Sequence, residues 1–247
     1  MHFSKEINQY LEGKAFSNAL TFNFSTQKYE LKTRIARLTE IVKGKNIVHL
    51  GCADHLGLIE NKMKSGKWLH GILLQNTNHC IGIDINAEAI HYLKEKHQIP
   101  NLYCINIETA ENAESIFGNE NWDYLVLGEI IEHVNNPVAF LKNLHDKFKN
   151  NTDRIIITAP NVYNLSNAKR IRKNLEVINT DHRYWFSPYT LTKVIMESGF
   201  SDCELSFAEH VKLPLLTEIR KHIHRIFKKP LLLDACYYST LVITAKF

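Results

Sequence analysis

Asn46-Ile-Val-His-Leu50, followed at once by Gly51-Cys-Ala-Asp54, decides the fold: a strand-like run ends in a turn of small residues. Working outward, Cys80-Ile-Gly-Ile83 stops at Asp84, and Leu102-Tyr-Cys-Ile105 leads to Asn106-Ile-Glu108. Trp122-Asp-Tyr-Leu-Val-Leu127 runs into Gly128-Glu-Ile-Ile-Glu132-His133. The chemistry-bearing residues therefore follow the carboxyl ends of successive strands, where an open α/β sheet binds its ligands. Helical patterns lie between them. One covers about 26–43 and is ended by Gly44, another follows Asn86 as N-cap, and a third is opened by Pro137. Arg154–Thr158, stopping at Ala159-Pro160-Asn161, and Ser239–Ala245 read as later strands. Strands separated by helices predict an α/β fold with a doubly wound, mostly parallel sheet.

Composition is compatible with this and excludes several classes. A chain of 247 residues, 45% hydrophobic, can bury one large core, so a single domain over 1–247 is expected. A formal charge of +4 suits an anionic or phosphorylated ligand and falls short of a nucleic-acid-binding signature. The five cysteines, Cys52, Cys80, Cys104, Cys203 and Cys236, are scattered and odd in number, which suits reduced core thiols better than disulfides or a zinc site. No apolar run fits a signal peptide or a membrane span, so the expected localisation is cytoplasmic.

The succession from Asn46 to His133 resembles the class I S-adenosylmethionine (SAM) dependent methyltransferases, and the resemblance extends over most of the chain. It implies a Rossmann-like, seven-stranded sheet whose last strand, about 238–245, inserts antiparallel, and it implies SAM as cofactor. The family's first turn maps onto His49, Gly51, Ala53 and His55, with histidine at the usual acidic position and a single glycine. Gly51 and Ala53 still leave room for a close backbone approach, and Asp54 is expected to meet the methionine ammonium. Asp84 is expected to accept hydrogen bonds from the ribose hydroxyls, and Asn106 to contact adenine. Ile85, Ile107, Gly128 and Glu129 complete the implied cofactor set. Gly51 and Asp84 lie further apart than the roughly 20 residues of a dinucleotide fingerprint. The excess is an insert at about 61–76, in which Trp68 either helps cap the cofactor turn or packs on the core.

After the fourth strand the chain lacks the Asn/Asp-Pro-Pro-aromatic turn of amine-methylating enzymes. Gly128–Pro137 instead resembles the methyltransferases of quinones, acyl carriers and sugars. No aromatic-interleaved basic stripe suggests nucleic acid as a partner. After the fifth strand, a polar excursion ends in Asp181-His182-Arg183-Tyr184, placing Asn161, Asp181, Arg183 and Tyr184 as candidate substrate residues. His182 beside Asp181, or His133 beside Glu132, is the expected general base for a hydroxyl acceptor. No metal is expected, although the two histidines could join acids around a divalent ion. The N-terminal 1–44 are expected to form a helical cap. The basic stretch at about 211–235 either covers the sheet or touches an anionic membrane surface or phosphorylated substrate. The resulting expectation is O-methylation of a small molecule or of a nucleotide- or lipid-linked sugar in surface polysaccharide synthesis. The alternatives are a non-catalytic cofactor-binding subunit with this fold, or a quinone, carboxylate or phosphate methyltransferase. A nicotinamide dehydrogenase would also use Asp84 but needs a Gly-x-Gly-x-x-Gly turn that is absent.

Overall fold

The structure is a computed structural model that describes residues 1–22, 32–110, 117, 120–210 and 235–247. The basic stretch from 211 and the start of the helix expected from 26 lie outside the described residues. Seven strands form one sheet: β1 (Asn46–Leu50), β2 (His79–Asp84), β3 (Leu102–Cys104), β4 (Trp122–Gly128), β5 (Thr152–Pro160), β6 (Ser201–His210) and β7 (Tyr238–Lys246). Their order is β3-β2-β1-β4-β5-β7-β6. β1 to β5 pair in parallel, and β7 inserts antiparallel between β5 and β6, as the resemblance implies.

Among the described residues the helices are α1 (Lys5–Leu11), α2 (Arg34–Val42), α3 (Leu56–Lys64), α4 (Leu69–Asn76), α5 (Ala87–His97), α6 (Pro137–Phe148), α7 (Leu165–Ile171) and α8 (Pro188–Glu197). Their starts are written in local chemistry, because a side-chain oxygen satisfies an N–H that the first turn leaves unpaired. Asn86 Oδ1 accepts from Ala89 N at 3.0 Å, and Asn136 Oδ1 accepts from Ala139 N at 3.1 Å with Pro137 in the first turn. Ser187 and Thr190 cap α8 reciprocally. Gly44, at φ +67°, ends α2 in a conformation that disfavours a side chain.

The period-two alternation of the central strands divides the core. Val48, Leu50, Leu125 and Leu127 face Leu141 and Leu144 of α6 and Leu191 of α8. Ile47, Val126 and Ile156 face Leu38 and Val42 of α2 and Leu73 of α4. The insert packs behind the first turn: Trp68 is 5% exposed, and its Nε1 donates to the Cys52 carbonyl at 3.1 Å. Of the cysteines, Cys52, Cys80 and Cys203 are buried and Cys104 is exposed. No helix among the described residues is long and apolar enough to cross a membrane.

The insert also delivers His70, wholly buried, to His49 of β1, with their Nδ1 atoms 3.2 Å apart. One ring must donate and the other accept, so the accepting ring is neutral. Gly82 makes room, since a Cβ there would fall 2.6 Å from His70 Cε1. Burial pushes His70 down to about 4; burial, then His70 and then Arg34, holds His49 well below the ordinary histidine range. Both folded values lie below that of an unfolded histidine. Their stability contribution is therefore complete above about pH 6.5 and is lost as pH falls toward the folded value. For His70 alone, a drop from 6.5 to about 4 corresponds to about 3 kcal/mol. Denaturant unfolding between pH 7 and 4 should show this loss, and His70→Gln should flatten it; identical profiles would refute the assignment.

Candidate active site

The sheet order reverses between β1 and β4, whose connections leave in opposite directions, and the crevice at their carboxyl ends is the expected ligand position. A cavity of about 280 Å³ lies there. Leu50 and Gly51 line it from the end of β1, Ile83, Asp84 and Ile85 from β2, and Ile105 to Glu108 from the segment after β3. Ile130, His133, Val134 and Asn135 close it from the turn after β4, with Phe140 of α6 and Arg183 of a distant loop.

Backbone geometry sets this opening. Gly51 has φ +68°, its N–H donates to the Ile83 carbonyl at 2.8 Å, and a Cβ would fall 2.6 Å from Ile130 Cδ1. Any side chain there would be strained and would press on the cavity wall. Asp84 closes the turn from the other side. Its Oδ2 accepts from Ala53 N and its Oδ1 from Asn86 N, each at 2.9 Å. Burial raises its pKa, while the N–H groups of Asn86, Ala53 and Ile85 pull the other way. Each carboxylate oxygen retains a lone pair for a ligand hydroxyl. Asn106 Oδ1 accepts from Glu108 N at 3.0 Å and so holds the wall after β3. Ile85, 72% exposed, and the buried Ile107 flank the same opening with apolar surface.

A second cluster borders the cavity at His133. The loop at 179–186 docks on backbone carbonyls of the turn after β4. Arg183 N donates to the Glu132 carbonyl at 2.8 Å, its guanidinium to the carbonyls of His133 and Asp181, and Tyr184 OH to the Asn135 carbonyl at 2.7 Å. That docking brings His182 Nε2 to 3.9 Å from Glu132 Oε1, and the His133 and His182 rings meet edge to face at 4.7 Å. Glu132 is fully buried, and neither of its carboxylate oxygens has a hydrogen-bond partner among the described residues. Burial, reinforced by the charge of Glu129, pushes Glu132 up to about 8. Glu129 occupies the left-handed region at φ +62°, its N–H donates to Thr158, and burial raises its pKa while Arg34 opposes the rise. His182 is lowered by burial and by His133, with Asp181 opposing.

Gly51, Asp84, Ile85, Asn106, Ile107, His133 and Arg183 thus share one cavity. Ala53 contributes its N–H to Asp84. Gly128 lies against Leu69 and Arg34, which a Cβ would meet at 2.9 and 3.2 Å, and lines no part of the cavity. Asp54 is also outside the lining; its carboxylate pairs with Lys62 and accepts from His55 N. Asn161, expected on the substrate side, is fully buried. Its Nδ2 donates to the carbonyls of Ala235 and Tyr238 at 3.0 and 2.9 Å, and its Oδ1 accepts from Tyr163 N, so it braces β5 against β7. Asp181 is exposed at the rim. Sequence reasoning passed over Ile130, Asn135 and Phe140, whose apolar or backbone contributions carry no signal of their own, and Arg34, whose charge opposes the rise in the pKa of Glu129 and Glu132.

The profile of a family described as a methyltransferase domain matches residues 24–205. Among solved structures, a SAM-dependent methyltransferase from Archaeoglobus fulgidus aligns with TM-score 0.51 at 20% identity, over 87% of this chain and 91% of that one. A methyltransferase from Thermotoga maritima, described as a possible histamine N-methyltransferase, aligns with TM-score 0.55 at 12% identity, over 86% of each chain. The small RNA methyltransferase HEN1 aligns with TM-score 0.54 at 15% identity, over 90% of this chain and 27% of that one. At these identities the likeness is one of fold. No curated protein sequence matches.

Proposed function

This chain belongs to the methyltransferase domain family and is a SAM-dependent enzyme, and from that premise we propose that it methylates a hydroxyl of a small-molecule or sugar acceptor in glycan synthesis. One observation carries the reading: a single cavity runs from Asp84 and Asn106 to His133 and Arg183, so donor and acceptor sides share one space. The lining fits the donor. Asp84 offers a carboxylate for two ribose hydroxyls, Ile85 and Ile107 offer apolar flanks for a purine, and Gly51 keeps the turn free of a side chain. When bound, SAM supplies an electrophilic methyl group on a sulfonium. The protein's own part is alignment, which can contribute on the order of 7–11 kcal/mol to the barrier. Asp84 and Asn106 hold the nucleoside end, and Glu132, His133 and His182 meet the acceptor oxygen. Arg183 borders the cavity between them, and Tyr184, 38% exposed, offers a ring face to a sugar.

A second reading, a ribose hydroxyl of RNA, is favoured by the exposed Tyr163 and Tyr184 in one segment with Arg172, Lys173 and Arg183. Methyl-labelled SAM, offered with nucleotide sugars, lipid-linked saccharides and short RNAs, separates the two. The expected result is label in a saccharide as an alkali-stable methyl ether. Label confined to RNA would replace this acceptor with the second.

A further inference from the structure

We propose that Glu132, His133 and His182 are the protein ligands of a divalent first-row transition-metal ion on the acceptor side of the cavity. The ion's role rests on the methyltransferase reading above; the site does not. One donor atom from each of the three residues lies within 4.8 Å of the other two. Two atoms bound to one ion at about 2.1 Å sit roughly 3.0 Å apart at a right angle and roughly 4.2 Å apart when opposed. The 3.9 Å between His182 Nε2 and Glu132 Oε1 falls in that interval and is too long for a hydrogen bond.

The alternative, a plain buried acid packed beside histidines, leaves too much unsatisfied. Glu132 is fully buried with neither oxygen hydrogen-bonded among the described residues, and His182 Nδ1 is buried in the same condition. Buried polar groups are normally paired, and a buried charge is normally paired or bound to metal. A bound cation satisfies the carboxylate outright. Glu129 adds to the attraction: its charge acts on Glu132, and its own Oε1 is buried without a partner among the described residues. One carboxylate with two imidazoles suits Mn²⁺, Fe²⁺, Co²⁺ or Zn²⁺ and disfavours Ca²⁺ and Mg²⁺, which prefer all-oxygen shells.

The site joins two segments separated in sequence, the turn after β4 and the loop at 179–186, so an occupied site pins that loop in place. It also borders the cofactor cavity, which His133 lines. An acceptor hydroxyl bound to the ion becomes more acidic. As its oxygen forms a bond to the donor methyl carbon, the carbon–sulfur bond breaks with its electron pair on sulfur. The hydroxyl proton leaves to water.

The test is an electron paramagnetic resonance titration of the EDTA-treated full chain with Mn²⁺, repeated in competition with Zn²⁺ and with Mg²⁺. The expected result is a saturable site that Zn²⁺ competes for and Mg²⁺ does not. Glu132→Gln and His182→Asn should each weaken Mn²⁺ binding about tenfold or more, while calorimetric SAM affinity stays within about threefold. Glu132→Gln is close to isosteric with the acid that burial favours, and His182→Asn lies on a surface loop, so at least one should retain the fold by thermal melting. Absence of saturable binding in the wild type, or binding that survives both substitutions, would overturn the proposal. A protein that binds the ion but not SAM keeps the metal site and loses the methyltransferase reading; the converse removes only the metal site.

Discussion

Asp84→Ala is expected to cost SAM binding a factor of roughly 10²–10⁴. On the proposed reading the carboxylate accepts two ribose hydroxyls, and hydrogen bonds to a charged group contribute about 1.5–3 kcal/mol each. The carboxylate also holds the turn together through Ala53 N and Asn86 N, so the variant loosens both walls of the cavity it lines. Asp84→Asn helps to separate the two effects, because its single amide oxygen keeps one of the two backbone hydrogen bonds while the charge is lost. It should retain the fold and lose most of the affinity. Unchanged binding in Asp84→Ala would mean that the nucleoside does not run past the end of β2.

His182→Ala is expected to lower turnover by roughly 10²–10⁴ while leaving SAM affinity nearly unchanged. His182 lies outside the cofactor cavity, and the loop that carries it is held by the backbone N–H of Arg183 and by Tyr184 OH, which the substitution leaves in place. His133 differs because it borders the cavity, so His133→Ala should lower both SAM affinity and turnover. Steady-state kinetics at saturating SAM, paired with calorimetry, distinguish the two. Full turnover in both variants would show that the reaction proceeds by alignment alone.

The sheet was readable because β1, β2 and β4 are aliphatic runs that stop abruptly at polar or small residues, and the last strand has the same texture. β6 was never bounded from sequence: Ser-Asp-Cys-Glu-Leu-Ser-Phe-Ala-Glu-His is half polar and buries alternate residues from Cys203 to Phe207. Residues at strand ends, Gly51, Asp84, Asn106 and His133, were legible for the same reason, since topology alone carries them to one crevice. Errors of placement came from partners that sequence does not display. Asp54 faces Lys62 within its own helix–turn segment, while Asn161 is engaged by carbonyls more than seventy residues away. His182 was paired on paper with its neighbour Asp181. Backbone docking of the loop instead presents it to Glu132, from which it is separated by fifty residues of sequence. The buried histidine pair escaped notice because His70 arrives through the insert.

Calorimetric titration of the wild-type chain with SAM, its demethylated product and NAD tests the central claim most directly. Both sulfur nucleosides should bind to one site per chain, with no heat from NAD and with the SAM signal lost in Asp84→Ala. Binding of NAD in place of SAM, or SAM binding indifferent to Asp84, would contradict the account.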